Sequence, residues 1–265
     1  MRMYKILFTY VAPVLIFCGV TGNLLSFIVL QSRFYRQVPS SFIMSALSIV
    51  DSMVLLTGLL RHWISALSGT TIDVRSLSVV GCHIHIYLAY FLPQLSSWSL
   101  CLMTLERLAS VVAPFKAKQI FSRPRMIIAW VVTAISLAAL NAHSFKITDL
   151  VRNEINNEPN NTYVYYTCQR LDEHNHFALK IWPWIDMLMV TIIPVIIIFT
   201  SNIIIITMVT RASRLREKKM QVKADNESNS MTAMLISISV VYLLTTLPAS
   251  IYFIGVAYFP RTTAE

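Results

Sequence analysis

Glu106 and Arg107 stand side by side at the end of a stretch, residues 76 to 105, that contains no Asp, Glu, Lys or Arg. A contact between adjacent charges at the edge of an apolar run depends strongly on protonation and geometry. A second charge, Asp51, lies inside the apolar segment SALSIVDSMVLL. A carboxylate there is costly unless it is hydrated, paired or protonated. Asn23, Ser96 and Ser97 are the polar groups placed to hydrogen-bond it or to share a cation with it; a structural network without an ion is the alternative. The six histidines form no HExxH and no Asp/His cluster, and no Ser–His pairing stands out. Hydrolytic and metal-dependent catalysis therefore have no visible machinery, and the chain reads as a non-enzyme with no metal site.

The elements that must position these residues follow from composition. The 265 residues are 55% hydrophobic and only 13% charged, with a mean hydropathy of +0.60. Soluble domains carry about 25% charged residues, so this balance belongs to a membrane protein. Apolar stretches predict spanning helices at about 6–30, 40–63, 83–111, 126–145, 181–209 and 231–259. Each is near or above the roughly 20 residues needed to cross the hydrocarbon. The first is too long for a signal peptide and shows no convincing cleavage site. No internal repeat is visible, which argues against carriers built from duplicated units.

Orientation follows from the basic residues. Arg33 and Arg36, then Lys116, Lys118, Arg123 and Arg125, and a run from Arg211 to Lys223 fall in alternate connections. The opposite connections hold Arg75, Lys146, Arg152, Arg170 and Lys180, offset by six acidic residues. The richer set is cytoplasmic, which puts both ends of the chain outside. The net charge of +9 is then mostly topology. It suits anionic lipid and acidic protein partners, and a nucleic-acid partner is unnecessary.

Cys82 opens the third span and Cys168 lies in the long outer loop 146–180, so both face the oxidising side. A disulfide between them is favoured, four free thiols being the alternative. Cys18 and Cys101 lie at membrane depth and read as small apolar residues. The same loop carries TYVYYTC, suited to a short strand or hairpin, and a glycosylation sequon at Asn160.

Taken together, Gly22-Asn23, LSIVD ending at Asp51, Cys82, the ERL triplet (Glu106, Arg107, Leu108), Trp130, Pro194 and Leu247-Pro248 resemble the rhodopsin-like G-protein-coupled receptors. The 25-residue spacing from Cys82 to Arg107 matches that family, and residues 97 to 114 are similar to neuropeptide receptors of the FMRFamide type. The fold implied is all-α: six of the seven membrane-spanning helices of a rhodopsin-like bundle in a single domain, residues 1–265, with a short β-hairpin in the second extracellular loop.

The chain departs from the family pattern in several places. It stops after the sixth span, without a seventh span or NPxxY. Thr246 stands for the usual Trp before Pro248, Asn202 for a common Tyr, and Leu108 for the Tyr of the DRY motif. An incomplete gene product is one expectation. A truncated receptor that modulates full-length partners by dimerising is another, and a six-span transporter or channel a more distant one.

The resemblance implies a plasma-membrane receptor with an extracellular N-terminus, a heterotrimeric G protein as partner, and an allosteric sodium ion near Asp51 as the only cofactor-like species. Glu106 would hold Arg107 in the closed state, Arg107 would contact Gα in the open one, and Pro194, Thr246 and Pro248 would serve the switch. Amine receptors of the family carry an Asp where this chain has Ala89, beside Tyr90, so a peptide ligand is expected instead. Arg61, His62, His83, Gln94 and Asp186 are the polar candidates for its pocket. Trp182, Trp184 and Tyr87 would line that pocket or form an interfacial belt.

Overall fold

A computed structural model describes residues 6–33, 38–69, 73–158, 161–171, 173, 176–220, 237, 240–242 and 244–246. Asn160, Pro248 and most of the sixth span lie outside the described residues. Four described helices are long and apolar enough to cross a membrane: Leu7–Leu30, Ser41–Leu67, Arg123–Ile147 and Phe177–Ala212. They turn large apolar side chains outward, Phe17 being 71% exposed, as surfaces that face lipid do.

The third helix, Val79–Val112, has 34 residues, about 51 Å of rise at 1.5 Å each. Its neighbours wrap it, so polar side chains can be buried along its length. Gln94, Ser97, Ser99, Thr104 and Glu106 are all buried along it. Ser78 starts it by accepting from the Gly81 backbone N–H at 2.9 Å. Glycine at position 81 permits that close approach, since a Cβ there would lie 2.8 Å from the Ser78 hydroxyl oxygen.

Two apolar clusters join the helices around this axis. Ile43, Leu100, Cys101, Met103, Met126 and Ile198 form the cluster farther from the hairpin, with Phe42 and Trp130 against it. Val50, Leu92, Leu95 and Leu137 form the outer one, backed by Phe91, Trp98 and Met189. In the first span, Gly19 permits close approach to the second, since a Cβ there would collide with Leu55.

The fifth helix is irregular for a stated reason. A π-turn at Leu188–Ile192 spends the N–H of Ile193 on the carbonyl of Leu188 rather than Met189. Pro194 then has no N–H to give Val190. Two successive carbonyls thus lose their ordinary helical donors.

The outer loop is an antiparallel hairpin of β1 (Thr148–Glu158) and β2 (Asn161–Arg170), with Leu150 opposite Cys168 and an irregularity at Asn156/Glu158. Aromatic and β-branched residues of TYVYYTC suit the strand. Asn153 ties the two strands by donating to the Thr167 hydroxyl at 2.7 Å.

Candidate functional site

The hairpin is fastened to the top of the third helix. Cys82 and Cys168 form a disulfide with their Cα atoms 5.5 Å apart, and both are buried. A His83 ring nitrogen lies 2.8 Å from the Thr148 carbonyl, and the Leu171 N–H donates to the Ile147 carbonyl at 3.0 Å. The base of the loop is thereby fixed over the bundle mouth.

Beside it, Arg61 does not stand alone. Its guanidinium lies 3.4 Å from Asp73, and Arg75 donates to the same carboxylate at 2.6 Å. Burial works to raise the Asp73 carboxyl. The hydrogen bonds from the Arg75 side chain and backbone, with the charges of Arg75 and Arg61, outweigh it and hold the group at about 2. His62 packs its ring on Phe8 at 4.9 Å between centroids.

Deeper in the mouth, residues one helical turn apart build two tiers. The outer tier is aromatic: Tyr90 of the third helix meets Trp182 of the fifth edge-on at 5.6 Å, and His143 lies 3.9 Å from Trp182. Arg170, at the end of β2, donates to the Tyr90 hydroxyl at 3.0 Å. The inner tier is polar. Gln94 donates to Asp186 at 2.8 Å and accepts from Asn141 at 2.7 Å, while Asn141 also donates to the Leu137 carbonyl. Gln94 and Asn141 are both 0% exposed.

The three aromatics considered together in the sequence separate here. Trp182 is 2% exposed and part of the tier, Trp184 is 41% exposed, and Tyr87 packs on Phe91 and Phe145. Ala89 brings no polar side chain, and Pro93 has no N–H to give its carbonyl.

At mid-membrane, Ser96 donates to Asp51 at 2.7 Å. Asn23 is half-buried and makes no hydrogen bond to that pair among the described residues. The two orphaned carbonyls of the fifth helix find side-chain donors: Trp98 Nε1 reaches Met189 at 2.9 Å, and the Tyr242 hydroxyl reaches Val190. Tyr242 also lies 2.8 Å from the Ser97 hydroxyl, which donates in turn to the Pro93 carbonyl. Trp130 donates to Ser99 at 2.9 Å. Thr246 is helical and half-buried one turn beyond Tyr242.

At the end of the third helix far from the hairpin, Arg107 Nε stands 3.4 Å from Glu106 Oε2, an ion pair rather than a directed hydrogen bond. The Glu106 side chain is 4% exposed and that of Arg107 is 23%. Ser110 donates to the Glu106 backbone carbonyl at 2.9 Å. Leu108 is half-buried beside them.

Asn141, Tyr242, Asp73 and Arg170 take part in these sites without having been singled out from the sequence. Asn141 carried a signal: it lies eleven residues, or three helical turns, after Trp130 and so shares the face that Trp130 turns toward the third helix. Among the described residues, no group of three or more His, Cys, Asp or Glu side chains is placed to hold a metal.

Comparison with known proteins agrees with this layout. The family described as 7 transmembrane receptor (rhodopsin family) matches residues 22–264. The thyrotropin-releasing hormone receptors of Bos taurus and Homo sapiens are 30% identical to the chain over 128 residues, which is 46% and 47% of this chain and 31% of each receptor. The match to the receptor of Mus musculus covers 32% of that protein. The aligned part of the chain thus spans about a third of the length of these curated relatives. The family match over most of the chain replaces the transporter and enzyme readings: the chain belongs to the rhodopsin family of seven-transmembrane receptors.

Proposed function

We propose that the chain is a plasma-membrane receptor, N-terminus outside, that binds an extracellular peptide between its outer helix ends and couples to a heterotrimeric G protein at its cytoplasmic face. The observation that carries this reading is the coexistence, on one helix, of the aromatic and polar tiers at Tyr90 and Gln94 under the outer hairpin and an ion pair at Glu106 and Arg107. One rigid element thus links a ligand site to a docking site. Similarity to receptors named for a hormone supports a ligand of peptide type. So does Ala89, which offers no carboxylate for a small amine.

The ligand favours the state with which it makes more contacts, and coupling is a population shift. Arg61, His62, Ala89, Tyr90, Gln94 and Asp186 form the ligand side. In the cytoplasmic half, Glu106 restrains Arg107 until the crevice opens, and Leu108 packs beside the pair. Pro194, Thr246 and Pro248 set the bends about which the fifth and sixth helices repack. Asp51 and Ser96 form a polar centre suited to sodium, with Asn23 a further oxygen on the neighbouring span. Asn160 is an outward glycosylation acceptor, and the receptor pairs laterally with other receptors in the bilayer.

Peptide-stimulated nucleotide exchange on co-expressed Gα subunits is the test. Exchange raised by a peptide fraction supports the reading, and no response to any peptide class across all Gα families contradicts it.

A further inference from the structure

We infer that Asp186 is the anchor for a positively charged group on the ligand, a guanidinium or an ammonium, received through the Tyr90–Trp182 aromatic tier. This rests on the reading of the outer mouth as the ligand site and gives that ligand a charge.

At the bundle mouth Arg61 and Arg75 share the single carboxylate of Asp73. Arg170 is engaged by the Tyr90 hydroxyl. Asp186 has no cationic partner among the described residues, and residues 237–260, which include the outer half of the sixth span, contain no Lys, Arg or His. A carboxylate left in this position with no counter-ion among the described residues is costly.

The amides around it are arranged for a carboxylate. Asn141 donates to Gln94, and Gln94 donates to Asp186 Oδ1, so each link passes a donor in the same direction. Turning the Gln94 amide over would set its oxygen against the carboxylate and its NH2 against that of Asn141, so the network itself fixes the orientation. Because Gln94 and Asn141 are fully buried, this arrangement is rigid. It holds one carboxylate oxygen and leaves Oδ2 without a hydrogen bond among the described residues, available to a second donor.

Trp182 lies four residues before Asp186 on the fifth helix, and Tyr90 four before Gln94 on the third, so the aromatic tier sits one turn outward of the carboxylate. Aromatic faces attract cations, and a charged group passing them is met by an acceptor at the end of its path.

The test uses the full chain in nanodiscs and two neutral-backbone probes of equal size: Nα-acetyl-arginine amide and its uncharged isostere, Nα-acetyl-citrulline amide. Ligand-observed NMR titration should show the arginine probe binding at least about tenfold tighter, and Asp186→Asn should bring the ratio to about one. In the unmodified chain, mass spectrometry after carbodiimide labelling should show Asp186 protected by the arginine probe and not by the citrulline probe. Equal affinity of the two probes, a preference that survives Asp186→Asn, or labelling of Asp186 unchanged by the arginine probe would each overturn the assignment. None of these readouts needs a G protein. A missing nucleotide-exchange response would therefore count against the receptor mechanism alone, and equal probe binding against the cationic anchor alone.

Discussion

The hydroxyl of Tyr242 donates to the carbonyl of Val190, which lacks its ordinary helical donor because residue 194 is a proline. The sixth helix is thereby fastened to the irregularity in the fifth, with Ser97 of the third helix at 2.8 Å from the same hydroxyl. An aromatic side chain without the hydroxyl would fill the same space and fasten nothing.

Tyr242→Phe leaves a buried carbonyl unsatisfied, which costs about 1–3 kcal/mol. The variant should melt at lower temperature and show raised ligand-independent nucleotide exchange. Ser97→Ala should do less, because Val190 still accepts from Tyr242. Equal effects of the two variants, measured by thermal unfolding and basal exchange, would show that the Val190 contact is not the fastening one.

The disulfide closes a loop across 86 residues of sequence. In the chain-entropy account, a loop of this length is worth about 4–5 kcal/mol. Cys82→Ser and Cys168→Ser should each abolish surface expression or ligand binding, and the double variant should be no worse than either single one. Normal surface display of both single variants by flow cytometry would contradict this.

Asp73 gives the extracellular face a dependence on pH. Its carboxyl titrates at about 2 in the folded chain, against about 4 when unfolded. A depressed value contributes stability that is complete above pH about 4 and is lost as pH falls toward 2. Thermal unfolding from pH 5 to 2 should show that loss, and Asp73→Asn should flatten it while lowering stability at neutral pH, where Arg61 and Arg75 lose their shared partner. An unchanged acid profile would mean the triad carries no linkage.

Asp51→Asn keeps an oxygen for the Ser96 hydroxyl and removes the charge. The unmodified chain should be more thermostable in sodium chloride than in choline chloride, and the variant should not distinguish the two salts. Absence of any sodium effect in the unmodified chain would leave Asp51 and Ser96 as a structural pair only.

How much of this was legible in the sequence depended on whether a feature is local. The disulfide was readable because the bias of basic residues reads Cys82 and Cys168 as lying on one, oxidising side, while Cys18 and Cys101 fall inside apolar spans. The hairpin was readable because TYVYYTC carries its own strand preference. Gln94 and Asp186 could be picked out as polar groups near the outer mouth. Their mutual bond depends on how the third and fifth helices are rotated, which no local pattern encodes. Asp73 is an ordinary loop residue until Arg61 and Arg75 fold over it. Tyr242 reads as one more aromatic in an apolar run, since its partner carbonyl is created by a proline on another helix. The third helix is polar for the same kind of reason: its surroundings are protein, so hydropathy alone understates it.

The central claim is that the outer pocket and the Glu106–Arg107 pair are two ends of one switch. Its most direct test is GTPγS binding in membranes containing the receptor and Gα, before and after addition of an activating peptide, with Arg107→Ala compared at equal surface expression. The account predicts peptide-stimulated exchange in the unmodified receptor, unaltered peptide binding in Arg107→Ala, and no stimulated exchange in that variant. Stimulated exchange that persists in Arg107→Ala would contradict it.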